Sequence, residues 1–272
     1  DYLKAGLLDR AEETFERLRG TSLDEEAKRS LLEIYQLGKD WERAIAIAKE
    51  LPDVASRKEI AEYYCELAAA EMIRSRRAEA RDHLGTALEM NRHCVRASLL
   101  LGDLNAQEGD QQAAIDSWQQ IESQNPAYLA LVAQRLLAAY RALDRRDDGL
   151  RLLRGYLENY HSLDLLDVVF QLVLESDGAE AAYTLVRDEL RRNPTLLGFD
   201  KLLEARLFNA APEIRPDIDL AKGIVQNYTR RLARYRCDNC GFKARQFYWR
   251  CPACGGWETY PPKRTEEFDL TP

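Results

Sequence analysis

The 272 residues carry 39 Lys and Arg against 46 Asp and Glu, a formal net charge of −7, and 46% of them are hydrophobic. That length and apolar share provide core enough for one large or two ordinary domains, and the acidic balance excludes a generic polyanion binder. No run of 18 apolar residues occurs, so no segment here reads as a membrane span.

The first 211 residues read as helix almost throughout. Ala, Leu, Glu and Arg dominate, strand-like alternation is missing, and only Pro52, Pro126 and Pro194 interrupt. Those prolines stand 74 and 68 residues apart, close to twice a period in the mid-thirties. The period is carried by a small residue followed four positions later by a bulky or apolar one: Ala11/Phe15, Ala44/Ala48, Ala80/Leu84, Ala114/Trp118, Gly149/Leu153 and Ala182/Val186. Successive spacings are 33, 36, 34, 35 and 33. Leu31-Leu32 with Tyr35, Leu67-Ala68, Leu101-Gly102 and Leu136-Leu137 with Tyr140 precede them, where the first helix of a hairpin meets the second. A small residue lets two helices approach, and the large one a turn later fills the gap beside it. Asn125-Pro126 and Asn193-Pro194 then predict the ends of second helices.

Residues 1–211 therefore resemble a tetratricopeptide-repeat array, an all-α superhelix of stacked helix pairs. The first repeat reads as truncated: Tyr2 falls at the end of a first helix and Gly6 at its turn, which predicts about eight residues of that helix upstream of Asp1. The inner face of such a stack is lined by first helices. In that frame Arg29, Glu33, Arg96, Asp103, Gln134 and Arg141 are the expected partner-binding positions, with Gln36, Glu62, Met72, Ile73 and Leu99 beside them. Their mixture of charge and apolar contact suits a peptide or protein, and for each the alternative is a solvated face.

Residues 212–234 form a connector and a linking helix. Pro212 and Pro216 bracket the connector, and Asp217-Ile218-Asp219 predict a helix start. The helix should run through Leu220, Ile224, Tyr228 and Leu232 to about Ala233. A ribbon over 235–262 follows, and a polar tail, 263–272, is expected to be flexible.

The ribbon contains the clearest chemical motif. Cys237/Cys240 and Cys251/Cys254 are two Cys-x-x-Cys pairs ten residues apart, the spacing of two knuckles closing on one tetrahedral ion. Gly241 and Gly255-Gly256 supply the turns behind each pair, and Pro252 stiffens the second loop. All-sulfur ligation suits zinc or a single iron, with zinc the default because nothing else suggests electron transfer. Cys65 and Cys94 read as small buried hydrophobes in a reducing setting.

Four thiolates saturate their metal, the histidines His83, His93 and His161 are scattered, and no phosphate loop or nucleophile elbow occurs; the chain reads as non-enzymatic. From Arg230 to Arg250 seven Lys and Arg face the single Asp238, interleaved with Phe247, Tyr248 and Trp249. This keeps a nucleic-acid-binding ribbon as the alternative function, against the acidic charge of the whole. Tyr235, Phe242, Phe247, Tyr248, Trp249, Trp257 and Tyr260 are more aromatic surface than so small a unit covers. The ribbon is therefore expected to dock on the open end of the final repeat.

The order of parts, with Tyr235 to Phe242, Tyr248 to Cys254 and Trp257, resembles the lipopolysaccharide assembly protein B (LapB) family of Gram-negative bacteria. The array carries further phrases of that family: Asp1-Tyr2 through Gly6-Leu7, Asp9-Arg10-Ala11-Glu12, Leu32-Glu33-Ile34-Tyr35-Gln36, Glu59-Ile60-Ala61 and Tyr64-Cys65-Glu66-Leu67-Ala68. The resemblance implies an adaptor on the cytoplasmic face of the inner membrane, held by an N-terminal anchor that this chain lacks. It further implies that the adaptor restrains lipopolysaccharide synthesis by presenting the lipid A deacetylase LpxC to the membrane protease FtsH, opposed by a lipopolysaccharide-sensing inner-membrane protein. The ribbon is rubredoxin-like in its knuckles only, since rubredoxins space theirs further apart.

Overall fold

The computed structural model describes residues 2–3, 5–51, 56–229 and 235–263. Expectations resting on Asp1, Pro52, Arg230 to Arg234 and the tail beyond Lys263 lie outside the described residues. Two compact units divide the chain, residues 1–124 and 125–272.

The first unit is built from α1 (Leu8–Glu16), α2 (Asp24–Gly38), α3 (Trp41–Glu50), α4 (Arg57–Ile73), α5 (Arg77–Met90), α6 (Val95–Gln107) and α7 (Gln111–Gln124). α1 packs on α2, and α2/α3, α4/α5 and α6/α7 are hairpins. Local signals set the boundaries. Asp40 accepts the Arg43 amide to start α3, and Ser56 with Glu59 forms a reciprocal capping box on α4. Gly6 takes a positive φ of 73° ahead of α1, as the turn reading requires.

The repeat positions form the core. Ala11, Ala44, Ala48, Ala80, Leu84, Ala114 and Trp118 are all buried, and Phe15 alone of these is half-buried. The α6/α7 hairpin shows why the small residue is needed. A Cβ on Gly102 would lie 2.2 Å from Trp118 Nε1, so only glycine lets the indole cross α6, where its N–H donates to the Leu99 carbonyl at 3.2 Å. Cys65 and Cys94 are fully buried in the α4–α6 core with their sulfurs 3.7 Å apart, as free thiols.

In the second unit a 3-10 turn, Pro126–Leu131, precedes α8 (Ala133–Ala142), α9 (Arg146–Tyr160), α10 (Leu163–Ser176), α11 (Ala179–Arg192), α12 (Leu196–Phe208) and α13 (Arg215–Thr229). The helix pairs are α8/α9, α10/α11 and α12/α13. Asn125 and Asn193 follow the ends of α7 and α11 as the Asn-Pro pairs predicted, and the Asn125 side chain accepts the Ala127 amide. The chain does not pass directly from Asn125 into the first helix of the α8/α9 pair. Pro126 begins a tighter 3-10 turn, and the α-helix starts only after Val132. Gly149, Leu153, Ala182 and Val186 are buried, and Tyr140 would meet a Cβ on Gly149 at 3.0 Å.

The linking helix starts two residues before Asp217, because Pro216 fits the first turn of a helix, where its missing N–H has no partner to lose. Its apolar positions are less buried than an inward stripe predicts. α13 packs on α12 and buries Val225, while Leu220, Ile224 and Tyr228 are 60–65% exposed.

Candidate metal centre

The last described segment has very short strands. β1 (Tyr235–Arg236) pairs antiparallel with β2 (Lys243–Ala244) around the first knuckle, and an Arg250–Trp257 bridge closes the second. The two loops repeat each other bond for bond. Gly241 N–H donates to the Cys237 carbonyl and Gly255 N–H to the Cys251 carbonyl, each at 2.9 Å. The Cys237 amide donates to Phe242 O and the Cys251 amide to Gly256 O, each at 2.8 Å. Both Gly241 and Gly255 sit at positive φ, 75° and 71°, where a side chain would be strained. The glycine behind each cysteine pair is thus what bends the chain enough for two sulfurs to converge.

All four sulfurs lie within 4.8 Å of one another, with Cys237–Cys254 at 3.8 Å and Cys240–Cys251 at 3.7 Å. A tetrahedron with metal–sulfur bonds of about 2.3 Å has edges of about 3.8 Å, so the cage fits one ion. Electrostatics point the same way. The Gly256 amide, then the Asn239 side chain, hold the Cys254 thiol down to about 6. Cys240 is pushed up to about 12: the Phe242 amide favours its thiolate, but burial of charge and the sulfurs of Cys237, Cys251 and Cys254 outweigh it. Four adjacent thiols ionise together only around a cation.

Part of the ribbon's aromatic surface is covered by the 3-10 turn that opens the second unit, while Phe242 is exposed. Trp249 stacks on Tyr128 of the 3-10 turn, with centroids 5.5 Å apart and planes at 9°, and Phe247 meets both rings edge-on. Phe247 also touches Tyr235, whose carbonyl accepts the Tyr260 hydroxyl at 3.1 Å. Tyr235 and Tyr260 pack directly on Cys237 and Cys251. A line of rings therefore runs from the metal cage to Tyr128, which is buried. Phe247 and Trp249 are thus half-buried in intramolecular ring contacts. A lone tyrosine after a proline breaks no pattern, and sequence reasoning missed it.

The expected partner-binding residues fall in different settings. In the first unit Arg29 is exposed and pairs with Glu25 at 2.5 Å, Glu33 is exposed, Asp103 is half-buried, and Gln36 donates to the Tyr63 hydroxyl. Ile73 is exposed, Met72 packs on the core, and Leu99 is buried. Arg96 departs from the open-face expectation, being buried with Nη1 2.8 Å from Glu66 and 3.6 Å from the fully buried Glu62. Burial alone would lower its pKa, but the Glu62 and Glu66 carboxylates win and hold the guanidinium charged. In the second unit Gln134 is exposed, and Arg141 is exposed and shares Glu175 with Arg146 at 2.7 and 3.3 Å. Among the described residues no helix is long and apolar enough to cross a membrane.

Helix pairs of tetratricopeptide type ending in a four-cysteine ribbon define a helical-repeat protein with a rubredoxin-type metal-binding domain. Residues 235–262 match the model of the rubredoxin metal binding domain. The chain is 32% identical to lipopolysaccharide assembly protein B of Escherichia coli (strain K12) over 97% of its own length and 69% of the relative's. To the same-named protein of Haemophilus influenzae it is 31% identical over 99% and 69%. It belongs to the lipopolysaccharide assembly protein B family. The solved structure of MamA protein is similar over 58% of this chain and 85% of that one, at 22% identity and a TM-score of 0.40.

Proposed function

We propose that this chain is a non-enzymatic adaptor in lipopolysaccharide assembly, which binds protein partners through its helical repeats and carries one structural zinc ion. The observation that carries the reading is a cage of four sulfurs at tetrahedral spacing, a closed shell with no position for substrate or activated water, in a chain related over 97% of its length to lipopolysaccharide assembly protein B. The array over 1–211 is the partner-binding part, 212–234 the connector, and 235–262 the zinc ribbon.

The finer reading places the adaptor at the cytoplasmic face of the inner membrane, where it delivers the lipid A deacetylase LpxC to the protease FtsH and is opposed by a lipopolysaccharide-sensing membrane protein. Arg29, Glu33, Asp103, Gln134 and Arg141 are the proposed contacts, and Arg96 contributes by fixing the α4–α6 packing. The test is deacetylase proteolysis by FtsH in reconstituted membranes with and without this chain. Acceleration is expected, weakened by Arg141→Glu with helicity intact, since exposed substitutions usually shift stability by only about 0.5 kcal/mol. An unchanged degradation rate on adding the chain would overturn the reading.

A further inference from the structure

Each knuckle turns its first sulfur inward and its second outward: Cys237 and Cys251 are buried, while Cys240 and Cys254 face solvent. The two outer sulfurs are not equivalent. Asn239, itself exposed in the loop of the first knuckle, reaches across to the second with its Nδ2 3.4 Å from Cys254 Sγ. Cys237 has a hydroxyl neighbour, Thr259 Oγ1, also at 3.4 Å. Cys240 receives the Phe242 amide and, among the described residues, no side-chain donor besides the sulfurs around it. A metal dication held by four thiolates keeps a net negative charge that sits on sulfur. Each N–H aimed at a sulfur stabilises that charge and holds the ligand's orientation, and such outer contacts are worth about 10–100-fold in metal affinity.

The geometry points to Asn239 as a clasp across the two knuckles: by donating to Cys254 it retains the outer sulfur of the second loop and leaves Cys240 as the side through which metal is exchanged. Release then begins at one bond. With the ion bound, Cys240 would be the first ligand an incoming chelator atom replaces, its sulfur protonated by solvent as it departs and no electron changing hands. Asn239 acts through Cys254 and is a positioning residue.

The test uses the full chain loaded with zinc. Transfer to an excess of a chromogenic chelator is followed by absorbance, and limited iodoacetamide labelling of the loaded protein is read by peptide mass spectrometry. Native protein should be alkylated first at Cys240. Asn239→Ala should release zinc about tenfold faster or more, with Cys254 now labelled as readily as Cys240. Asn239→Asp, of the same shape but with an acceptor facing the sulfur, should be faster still. Asn239 is exposed, so neither variant should change the helical melt, and a purely structural role would leave the labelling order untouched. Release from Asn239→Ala at the native rate, or Cys254 labelled before Cys240 in the native protein, would overturn the assignment.

Discussion

Removing the metal should weaken helices that never touch it. The ribbon spans fewer than 30 residues, too few to bury a self-sufficient core, and a structural zinc contributes roughly 10–16 kcal/mol of folding free energy to small domains of this kind. Without the ion the ribbon should unfold, and Tyr128 should lose its stacked contact with Trp249 and its edge contact with Phe247. Such pairs contribute about 0.5–1.5 kcal/mol each beyond their buried area, so the helices of the second unit should lose about 1–3 kcal/mol. For a body of this size each kcal/mol moves the thermal midpoint by about 2–4 °C, which predicts a drop of several degrees in the second unit's melt. The assay is far-UV circular dichroism at 222 nm on metal-loaded and chelator-stripped protein, repeated with Cys237 and Cys240 both replaced by Ser. Tyr128→Ala should lower the loaded midpoint and abolish most of its dependence on metal. Identical helical melts with and without metal would refute the coupling.

Arg96→Glu should destabilise the first unit by about 3–5 kcal/mol in urea unfolding, because it removes the guanidinium between the Glu62 and Glu66 carboxylates and buries a third carboxylate beside them, and an unchanged midpoint would show that the pair contributes nothing. Tyr35 gives a pH dependence: burial, then its hydrogen bond to Glu16, raise its pKa from 10.0 to about 12. The neutral phenol is favoured by folding, so its contribution is complete below about pH 10 and lost as pH rises through about 12. Tyr35→Phe should remove that part of the alkaline fall in stability, and a fall of the same depth in the variant would contradict the assignment.

The helical repeats and the metal cage were largely legible in the residues because both leave periodic or stereochemical marks. A small residue at the close approach of two helices recurs from the α2/α3 hairpin to the α10/α11 pair, and Gly102 against Trp118 shows that the signal is steric. A glycine behind each cysteine pair is required by the knuckle backbone, so spacing alone pointed to four sulfurs that the fold brings together. Two features were hidden for different reasons. Arg96 looked like a solvated charge because a sequence shows the guanidinium but not the carboxylates at its side. Docking of the ribbon was foreseeable from its excess of rings, yet its seat was not, since Tyr128 lies outside any period and the partners are joined only by tertiary structure.

The stack of Tyr128 on Trp249 also constrains how the protein is made. The two rings are 249 − 128 = 121 residues apart. At about 5–20 residues per second the ribosome adds that length in roughly 6–24 s. Through that interval the helices of the second unit are translated without the ring that covers Tyr128, an apolar surface open to chaperones and to neighbouring nascent chains. The last ligands, Cys251 and Cys254, follow within five residues of Trp249. Metal capture is therefore a late event of biogenesis, and a cell short of the metal would accumulate chains that are mostly helical and open at one seam.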